Sequence, residues 1–322
     1  SWTSRYPKAP RPIALGPNRA CSAAERAGDA AVIQCAMAAP LPPVFVSHGS
    51  PMTALEPRAA GRWFQWLGAA LDRGFGRPKA ILVASAHTLT REPVLLAAAR
   101  HDAVHDFSGF ARELYALRYD APGAPALAER AARLLRDAGL PVHVSAGGGL
   151  DHGIWTPLRY AYPRADVPVL PLGWPPDWTP ARLFALGRAL APLAADGVWV
   201  LGSGSITHNL RRLFAGAQRA DEDEDEGDAA TPESRAFRDW WAAHAAAADW
   251  PALFEYRSRA PHAALMHPSD EHLLPFFVAA GAGGDGAALR VHASSVRGEL
   301  GMDAYAFGPD AARLMASTAA GA

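Results

Sequence analysis

The strongest constraint on this fold is a set of short, uninterrupted apolar runs that alternate with amphipathic segments of helical period. The runs cover residues 44–46, 80–84, 167–172 and 198–201. A strand with one face in water alternates apolar and polar residues, so a continuously apolar strand indicates a sheet covered on both faces. Pro168 and Pro171 interrupt the third run, which predicts an edge position for that strand.

The segments between these runs carry helix signals. Apolar residues of the 127–138 segment fall on one helical face, and Gly139 follows as a C-cap. Thr179 before Pro180 and Thr231 before Pro232 are typical of helix starts. Strands that alternate with helices predict an α/β fold: a largely parallel or mixed central sheet with helices on both faces, in a single domain over residues 41–315.

Two segments differ from this pattern. Residues 1–40 scatter Arg, Pro, Gly and Ala without any period, which predicts a disordered N-terminal extension. Two alternatives for this segment are a natural start at Met37 and a transit peptide. Residues 221–228 are almost entirely acidic, which predicts a solvated loop insertion near 219–230.

Charge and cysteine content exclude several classes of protein. Lys and Arg total 31 against 32 Asp and Glu, a balance that argues against a nucleic-acid or membrane-surface binder. No spanning segment or secretory signal is evident, so we expect a cytoplasmic protein. Cys21 and Cys35 both precede the first strand, so any metal in the body must be held by imidazole and carboxylate. Dinucleotide and P-loop motifs are absent from the sequence, so we expect no nucleotide cofactor.

Histidine placement is the most informative feature. His48, His87 and His208 each stand just after a predicted strand, and His152 and His272 lie in polar turns. The carboxyl ends of parallel strands meet at one edge of a sheet, so these rings can converge there. A cluster of neutral imidazoles with a carboxylate suits Zn(II) or non-haem Fe(II). The neighbouring polar residues that could hydrogen-bond these rings are Ser47, Ser85, Asp151 and Glu271.

Six motifs carry a resemblance to a known family. They are Ser47-His48-Gly49-Ser50-Pro51-Met52, the segment from Pro78 to Ser85-Ala86-His87, His105-Asp106-Phe107, Asp151-His152-Gly153-Ile154-Trp155, Gly204-Ser205-Ile206-Thr207-His208-Asn209-Leu210, and His267-Pro268-Ser269-Asp270-Glu271-His272 with the Leu-Leu-Pro that follows. With these motifs in family order, from about residue 43 to about residue 307, the chain resembles the DODA-type extradiol aromatic ring-opening dioxygenases. This family belongs to the class III extradiol superfamily and includes 4,5-DOPA dioxygenase-like enzymes.

The resemblance implies a class III extradiol catalytic-subunit fold and a metal-dependent dioxygenase that opens a catechol ring with O2. It implies one divalent metal, Zn(2+) or Fe(2+), and a monomer or homodimer that acts on a small aromatic substrate. The implied residues are His48, His87, His208 and His272 as ligands, His152 as the acid/base group, and His105 and Trp155 as substrate contacts. In a second version of this site, Glu271 completes an iron centre and His208 becomes an acid/base group.

Three other functions stay open at this point. A zinc-dependent hydrolase could use the same histidine site, since zinc with an open position activates water. A serine hydrolase at Ser203 or Ser205 is disfavoured, because no Gly-x-Ser-x-Gly run joins a strand to a helix. A non-enzymatic protein could bind a metal only to stabilise its fold.

Overall fold

A computed structural model of the chain describes residues 39–215 and 230–316. The predicted N-terminal extension and the predicted acidic insertion lie outside these residues, except at their edges, and their boundaries stay predictions. The described residues belong to one compact unit.

Twelve strands are present in the described residues: β1 Val44–Ser47, β2 Ala80–Leu89, β3 Val94–Leu96, β4 Arg100–His101, β5 Ala121–Pro122, β6 His143–Ser145, β7 Val169–Trp174, β8 Val198–Gly204, β9 Leu289–His292, β10 Ser295–Val296, β11 Leu300–Gly301 and β12 Ala304–Ala306.

The same residues form twelve α-helices: α1 Arg58–Phe75, α2 Arg112–Tyr115, α3 Pro125–Asp137, α4 His152–Ala161, α5 Pro180–Leu190, α6 Leu210–Ala215, α7 Pro232–Ala246, α8 Trp250–Phe254, α9 Tyr256–Arg259, α10 Ala263–Met266, α11 Pro275–Gly283 and α12 Ala311–Ala316. Short 3-10 helices cover Pro51–Ala54 and Ala191–Ala194.

Eight strands form a mixed central sheet in the order β6-β3-β7-β2-β8-β1-β12-β9. The four central strands, β7, β2, β8 and β1, run parallel to one another, whereas β12 pairs antiparallel with β1 and β9 pairs antiparallel with β12. The carboxyl ends of β2, β8 and β1 therefore lie side by side at one edge of the sheet. This arrangement positions the functional site.

Both faces of the sheet are covered, as the continuous apolar runs indicate. Phe45 of β1 packs into a core shared with α3, α5, α7 and α11, whereas Val44 and Val46 pack into a second core shared with α1, α4 and α12. Neighbouring strand residues point to opposite faces, so a strand buried on both sides needs apolar residues at every position. The prediction of a single α/β domain is confirmed.

Helix boundaries follow the predicted signals. The Thr179 side chain accepts a hydrogen bond from the Arg182 amide at the start of α5. Helix α3 ends at Asp137, and Gly139 follows with a φ of 72°. Helix α7 begins at Pro232, directly after Thr231.

The prediction of an edge position for the 167–172 run is wrong. Strand β7 lies between β2 and β3 and is buried along its whole length. Pro171 is tolerated because β3 is short and pairs with β7 only at Leu172 and Gly173, so the missing N–H lies outside that ladder. Within the part of the chain that the structure describes, no helix is long and apolar enough to cross a bilayer.

Candidate active site

Five histidines from distant parts of the chain meet at the carboxyl edge of the sheet. The ring of His48, which follows β1, lies with its centroid 5.1 Å from that of His87 in β2 and 5.3 Å from that of His152 at the start of α4. His272 lies 4.9 Å from His87, and His208 stacks on His272 with a centroid distance of 3.4 Å. The predicted convergence of strand-end histidines is therefore present in the structure.

Close approach of the backbone makes this gathering possible. The amide of Ser205, just after β8, donates to the carbonyl of His272 at 2.7 Å. Gly204 lies against that same carbonyl, and any Cβ at this position would overlap it. Glycine at the end of β8 therefore allows the His272 segment to reach the sheet edge.

Hydrogen bonds fix the tautomer of His48. The Ser203 hydroxyl donates to the carbonyl of Gly153, and its oxygen lies 3.1 Å from His48 Nδ1. A hydroxyl has one proton to donate, so this oxygen must accept from His48 Nδ1–H. Consequently His48 Nε2 carries no proton, and it points at His87 Nε2 at a distance of 3.2 Å.

Carboxylate oxygens lie close to the Nδ1 atoms of three other rings. His152 Nδ1 lies 3.0 Å from Asp106 Oδ2, and the His152 backbone amide donates to Asp106 Oδ1 at 2.9 Å. Asp106 Oδ2 also lies 3.4 Å from His87 Nδ1. His272 Nδ1 is 3.1 Å from Glu271 Oε1. These contacts leave each Nε2 atom available for a ligand or a substrate.

Burial keeps the rings of His48, His87, His208 and His272 neutral at physiological pH. Desolvation and neighbouring imidazoles lower the pKa of His87 to about 3 and that of His208 to about 2, and they hold the pKa of His48 well below its ordinary value. The pKa of His272 is also lowered by burial. A neutral imidazole can coordinate a cation, whereas a protonated one cannot. The pKa of Glu271 is lowered to about 2, chiefly by its hydrogen bond with His272, so this carboxylate is ionised.

Within residues 39–215 and 230–316, two groups of side chains have ligand atoms close enough to hold one ion. His48, His87 and His152 form one group, and His208, Glu271 and His272 form the other. Within each group the candidate ligand atoms lie within 4.8 Å of one another. Neutral imidazoles with an adjacent carboxylate fit a divalent cation of the zinc or iron type.

A cavity of about 490 Å³ opens in front of these histidines. Its histidine lining consists of His48, His87, His152, His208 and His272, and its apolar walls include Met52, Phe107, Phe110, Leu210, Leu213 and Phe214. The ion pair of Arg58 with Glu56, at 2.8 Å, also lines it. A cavity lined by possible metal ligands together with aromatic and aliphatic side chains suits a small, flat aromatic ligand.

The two predicted substrate contacts lie behind this wall. Trp155 is fully buried, and its indole N–H donates to the carbonyl of Val104 at 3.0 Å. The His105 ring packs between Phe107 and Trp155, with centroid distances of 5.7 and 5.8 Å. Neither residue is among the described residues that line the cavity, although Phe107 is. Their assignment as substrate contacts stays a prediction.

The residues that orient the histidines differ in part from those next to them in sequence. Glu271 does contact a site histidine, as the sequence suggested. Ser47 instead bonds the backbone at Asp303 and Ile206, and Ser85 bonds Asp151, which caps α4. The residues that contact the Nδ1 atoms of His48 and His152 are Ser203 and Asp106, and sequence analysis did not assign them this role. The nearest signal was that Asp106 lies in a recognised motif segment and that Ser203 directly precedes another.

Comparison with known proteins identifies the family. Residues 41–307 match the family described as the catalytic LigB subunit of aromatic ring-opening dioxygenase. The chain belongs to this LigB family. The predicted resemblance is confirmed, and the protein is a ring-opening dioxygenase and hence an oxidoreductase. The hydrolase, serine hydrolase and non-enzymatic alternatives are not supported.

Two curated relatives and one solved structure illustrate the similarity to LigB proteins. A 4,5-DOPA dioxygenase extradiol from Beta vulgaris is 35% identical over 267 residues, which is 82% of this chain and 95% of the relative. Dioxygenase tasH from Hapsidospora irregularis is 35% identical over 238 residues, covering 72% of this chain and 71% of the relative. The crystal structure of uncharacterized protein JW3007 from Escherichia coli K12 superposes with a TM-score of 0.67 at 30% identity, and it covers 83% of this chain and all of that chain.

Proposed function

We propose that this LigB-family protein opens a catechol-type ring with O2, beside the two hydroxyls, at a divalent metal held by the clustered histidines. The observation that carries the proposal is the pair of Nε2 atoms of His48 and His87, which lie 3.2 Å apart in a cavity with aromatic walls. His48 Nε2 carries no proton, so it offers a lone pair either to a proton on His87 Nε2 or to a bound cation. Burial lowers the pKa of both rings, so both stay neutral and can serve as ligands of a cation.

His48 and His87 anchor the proposed metal site: the family resemblance implies both as ligands, and their ligand atoms lie within 4.8 Å of each other and of one from His152. His208 and His272 are the proposed further ligands, and Glu271 is the alternative carboxylate ligand. When bound, the metal would supply Lewis acidity that favours the ionised form of a catechol hydroxyl and a position for O2 near the ring. Both Zn(2+) and Fe(2+) suit these ligands.

His152 is the proposed acid/base residue, and His208 is the second candidate. Asp106 holds Nδ1 of His152, so Nε2 accepts the second catechol proton and later returns it. The aromatic walls exclude water from the ring and hold its plane, with Phe107 and Phe110 contributing apolar faces. The substrate proposal therefore rests on a flat, apolar body and two adjacent hydroxyls.

Anaerobic purification, elemental analysis and reconstitution with Fe(2+) or Zn(2+), followed by oxygen uptake on a panel of catechols, test this proposal. We expect oxygen uptake in proportion to the bound metal, and a product mass that shows the gain of two oxygen atoms. Absence of oxygen uptake with every metal and every catechol would contradict the proposed function.

Single substitutions separate the proposed roles. His87→Ala should lose bound metal and activity together, because it removes a ligand. His152→Gln should retain the metal and lose about 100-fold or more in kcat, because it removes the acid/base group. His143→Ala is the matched control, since that ring is exposed and pairs only with Glu92. Full metal content in His87→Ala would refute its role as a ligand.

A further inference from the structure

Asp106 is the one carboxylate, among the described residues, that pairs with the rings of both His87 and His152. These two rings come from different elements, the end of β2 and the first residue of α4. Their centroids lie only 4.1 Å apart, the second-closest approach among the five cavity histidines after the stacked His208–His272 pair.

We propose that Asp106 is a positioning residue that sets the tautomer of His152, leaving its Nε2 free for substrate, and that places a carboxylate 3.4 Å from Nδ1 of the neighbouring His87. This proposal rests on the proposed function for its consequence in turnover. Its geometric part concerns only which ring nitrogen carries the proton, and that can be measured without any substrate.

Three contacts tie Asp106 to His152 alone. Oδ1 accepts the backbone amide at 2.9 Å and lies 3.1 Å from Nδ1, and Oδ2 lies 3.0 Å from Nδ1. The backbone contact fixes the Cα position, and the ring contacts fix the side-chain rotation. An ionised carboxylate only accepts hydrogen bonds, so it selects the Nδ1–H form of the imidazole.

The surroundings of Asp106 also support this role. The side chain is 23% exposed, so the pair is only partly shielded from water. In the same loop, Phe107 lines the cavity, so the loop that positions the base also forms part of the substrate wall.

Asp151, another carboxylate near these rings, cannot replace Asp106 as a hydrogen-bond acceptor for His152. Asp151 is buried and accepts from the hydroxyls of Ser85 and Thr88 and from the Ile154 amide, so its oxygens are engaged in capping α4. Loss of the Asp106 carboxylate should therefore leave the His152 tautomer unselected.

Asp106→Asn tests the proposal, since it keeps the shape and one oxygen but replaces the other with a donor that opposes Nδ1–H. Asp102→Asn is the matched control, because Asp102 lies in the same loop with its side chain 72% exposed. We expect Asp106→Asn to lower kcat by about 10- to 100-fold with KM within about 3-fold, and to weaken zinc affinity by about 10-fold in a chelator competition. Asp102→Asn should change neither.

A double-mutant cycle distinguishes positioning from a general structural role. If Asp106 acts on turnover through His152, then Asp106→Asn should cost less than about 3-fold in kcat in the His152→Gln background. Nitrogen-15 NMR of the zinc-loaded protein, with the His152 signals assigned from His152→Gln, should show Nδ1–H in the wild type and loss of that form in Asp106→Asn.

An unchanged His152 nitrogen spectrum in Asp106→Asn, or an equal loss of kcat in both backgrounds, would overturn the proposal. If Asp106→Asn loses the native circular dichroism spectrum, then Asp106→Ser, which keeps an oxygen near the His152 amide, replaces it in every measurement. A wild type without oxygen uptake on any catechol would refute the proposed function, whereas the NMR and zinc-affinity results would still decide the role of Asp106.

Discussion

At the scale of single residues, the histidines of this protein divide according to which ring nitrogen is already occupied. In three of the cavity histidines, His48, His152 and His272, the Nδ1 atom lies within hydrogen-bond distance of Ser203, Asp106 and Glu271 respectively, which leaves Nε2 for a ligand or substrate. His267 has the opposite arrangement: its buried Nε2 donates to the carbonyl of Ile206 at 2.9 Å, and Nδ1 has no hydrogen-bond partner. His267 therefore supports the turn that leads to His208, without facing the cavity.

His267→Gln should make the free energy of unfolding less dependent on pH between pH 4 and pH 6.5. Burial lowers the pKa of His267 from 6.5 to about 4, so between these values the unfolded chain binds a proton that the folded chain does not. Stability therefore falls as the pH drops through this window, by up to about 1.4 kcal/mol per pH unit. Urea unfolding of the metal-free protein from pH 4 to pH 7 should show that this contribution to the slope is absent in His267→Gln.

Equal slopes for the wild type and His267→Gln would show that His267 is protonated in the folded state.

At the scale of elements, the C-terminal end of α7 contains a residue in a sterically strained backbone conformation. After α7, the Ala248 amide donates to Ala245 O at 3.2 Å, and the Asp249 amide donates to His244 O at 2.9 Å. This is the hydrogen-bond pattern of a Schellman motif, whose C′ residue is left-handed. Ala248 occupies that position with a φ of 53°, where glycine is ordinarily found.

Ala248→Gly should raise the free energy of unfolding by about 1 kcal/mol, because glycine adopts this conformation without the steric cost paid by a Cβ atom. Chemical denaturation of the two proteins at neutral pH measures the difference. Ala247→Gly is the matched control: Ala247 has a φ of −84°, so glycine there should destabilise. A loss of stability in Ala248→Gly would mean that the methyl group contributes more through packing than it costs in strain.

Elements also show what sequence could and could not predict. The apolar runs at β1, β2 and β8 were recognisable because those strands are buried on both faces and need apolar residues throughout. The interior position of β7 was not recognisable, since it depends on how few residues β3 pairs with it. Pairing partners are a tertiary property that local composition does not encode.

The same division applies to the site. Histidines at strand ends were predictable because parallel strands present their carboxyl ends at one edge. Ser203 and Asp106 were not, because their roles depend on side-chain direction and on the path of a loop. Ser203 lies 155 residues from His48 in the chain, and Asp106 lies 46 residues from His152.

At the scale of the whole molecule, one buried ion pair connects a helical layer to the strands beside the site. Arg238 of α7 donates from Nε to Asp303 Oδ2 at 2.6 Å, and the Asp303 side chain is completely buried. The backbone carbonyl of Asp303 accepts from the amide and the hydroxyl of Ser47, the residue before His48. We therefore expect loss of this ion pair to shift β1 and the histidine that follows it, His48.

Arg238→Met should lower the free energy of unfolding by about 3–5 kcal/mol, because it leaves a buried carboxylate without its main partner. Arg290, 3.5 Å from the other carboxylate oxygen, compensates only in part, since its side chain is 37% exposed. The double variant Arg238→Met with Asp303→Leu should regain most of the loss, because no buried charge is left unpaired. Arg130→Met is the control: its pair with Asp196 is well exposed and should contribute at most about 1 kcal/mol. Urea unfolding measures all four proteins, and a double variant less stable than Arg238→Met would show that Asp303 stabilises the sheet edge independently of Arg238.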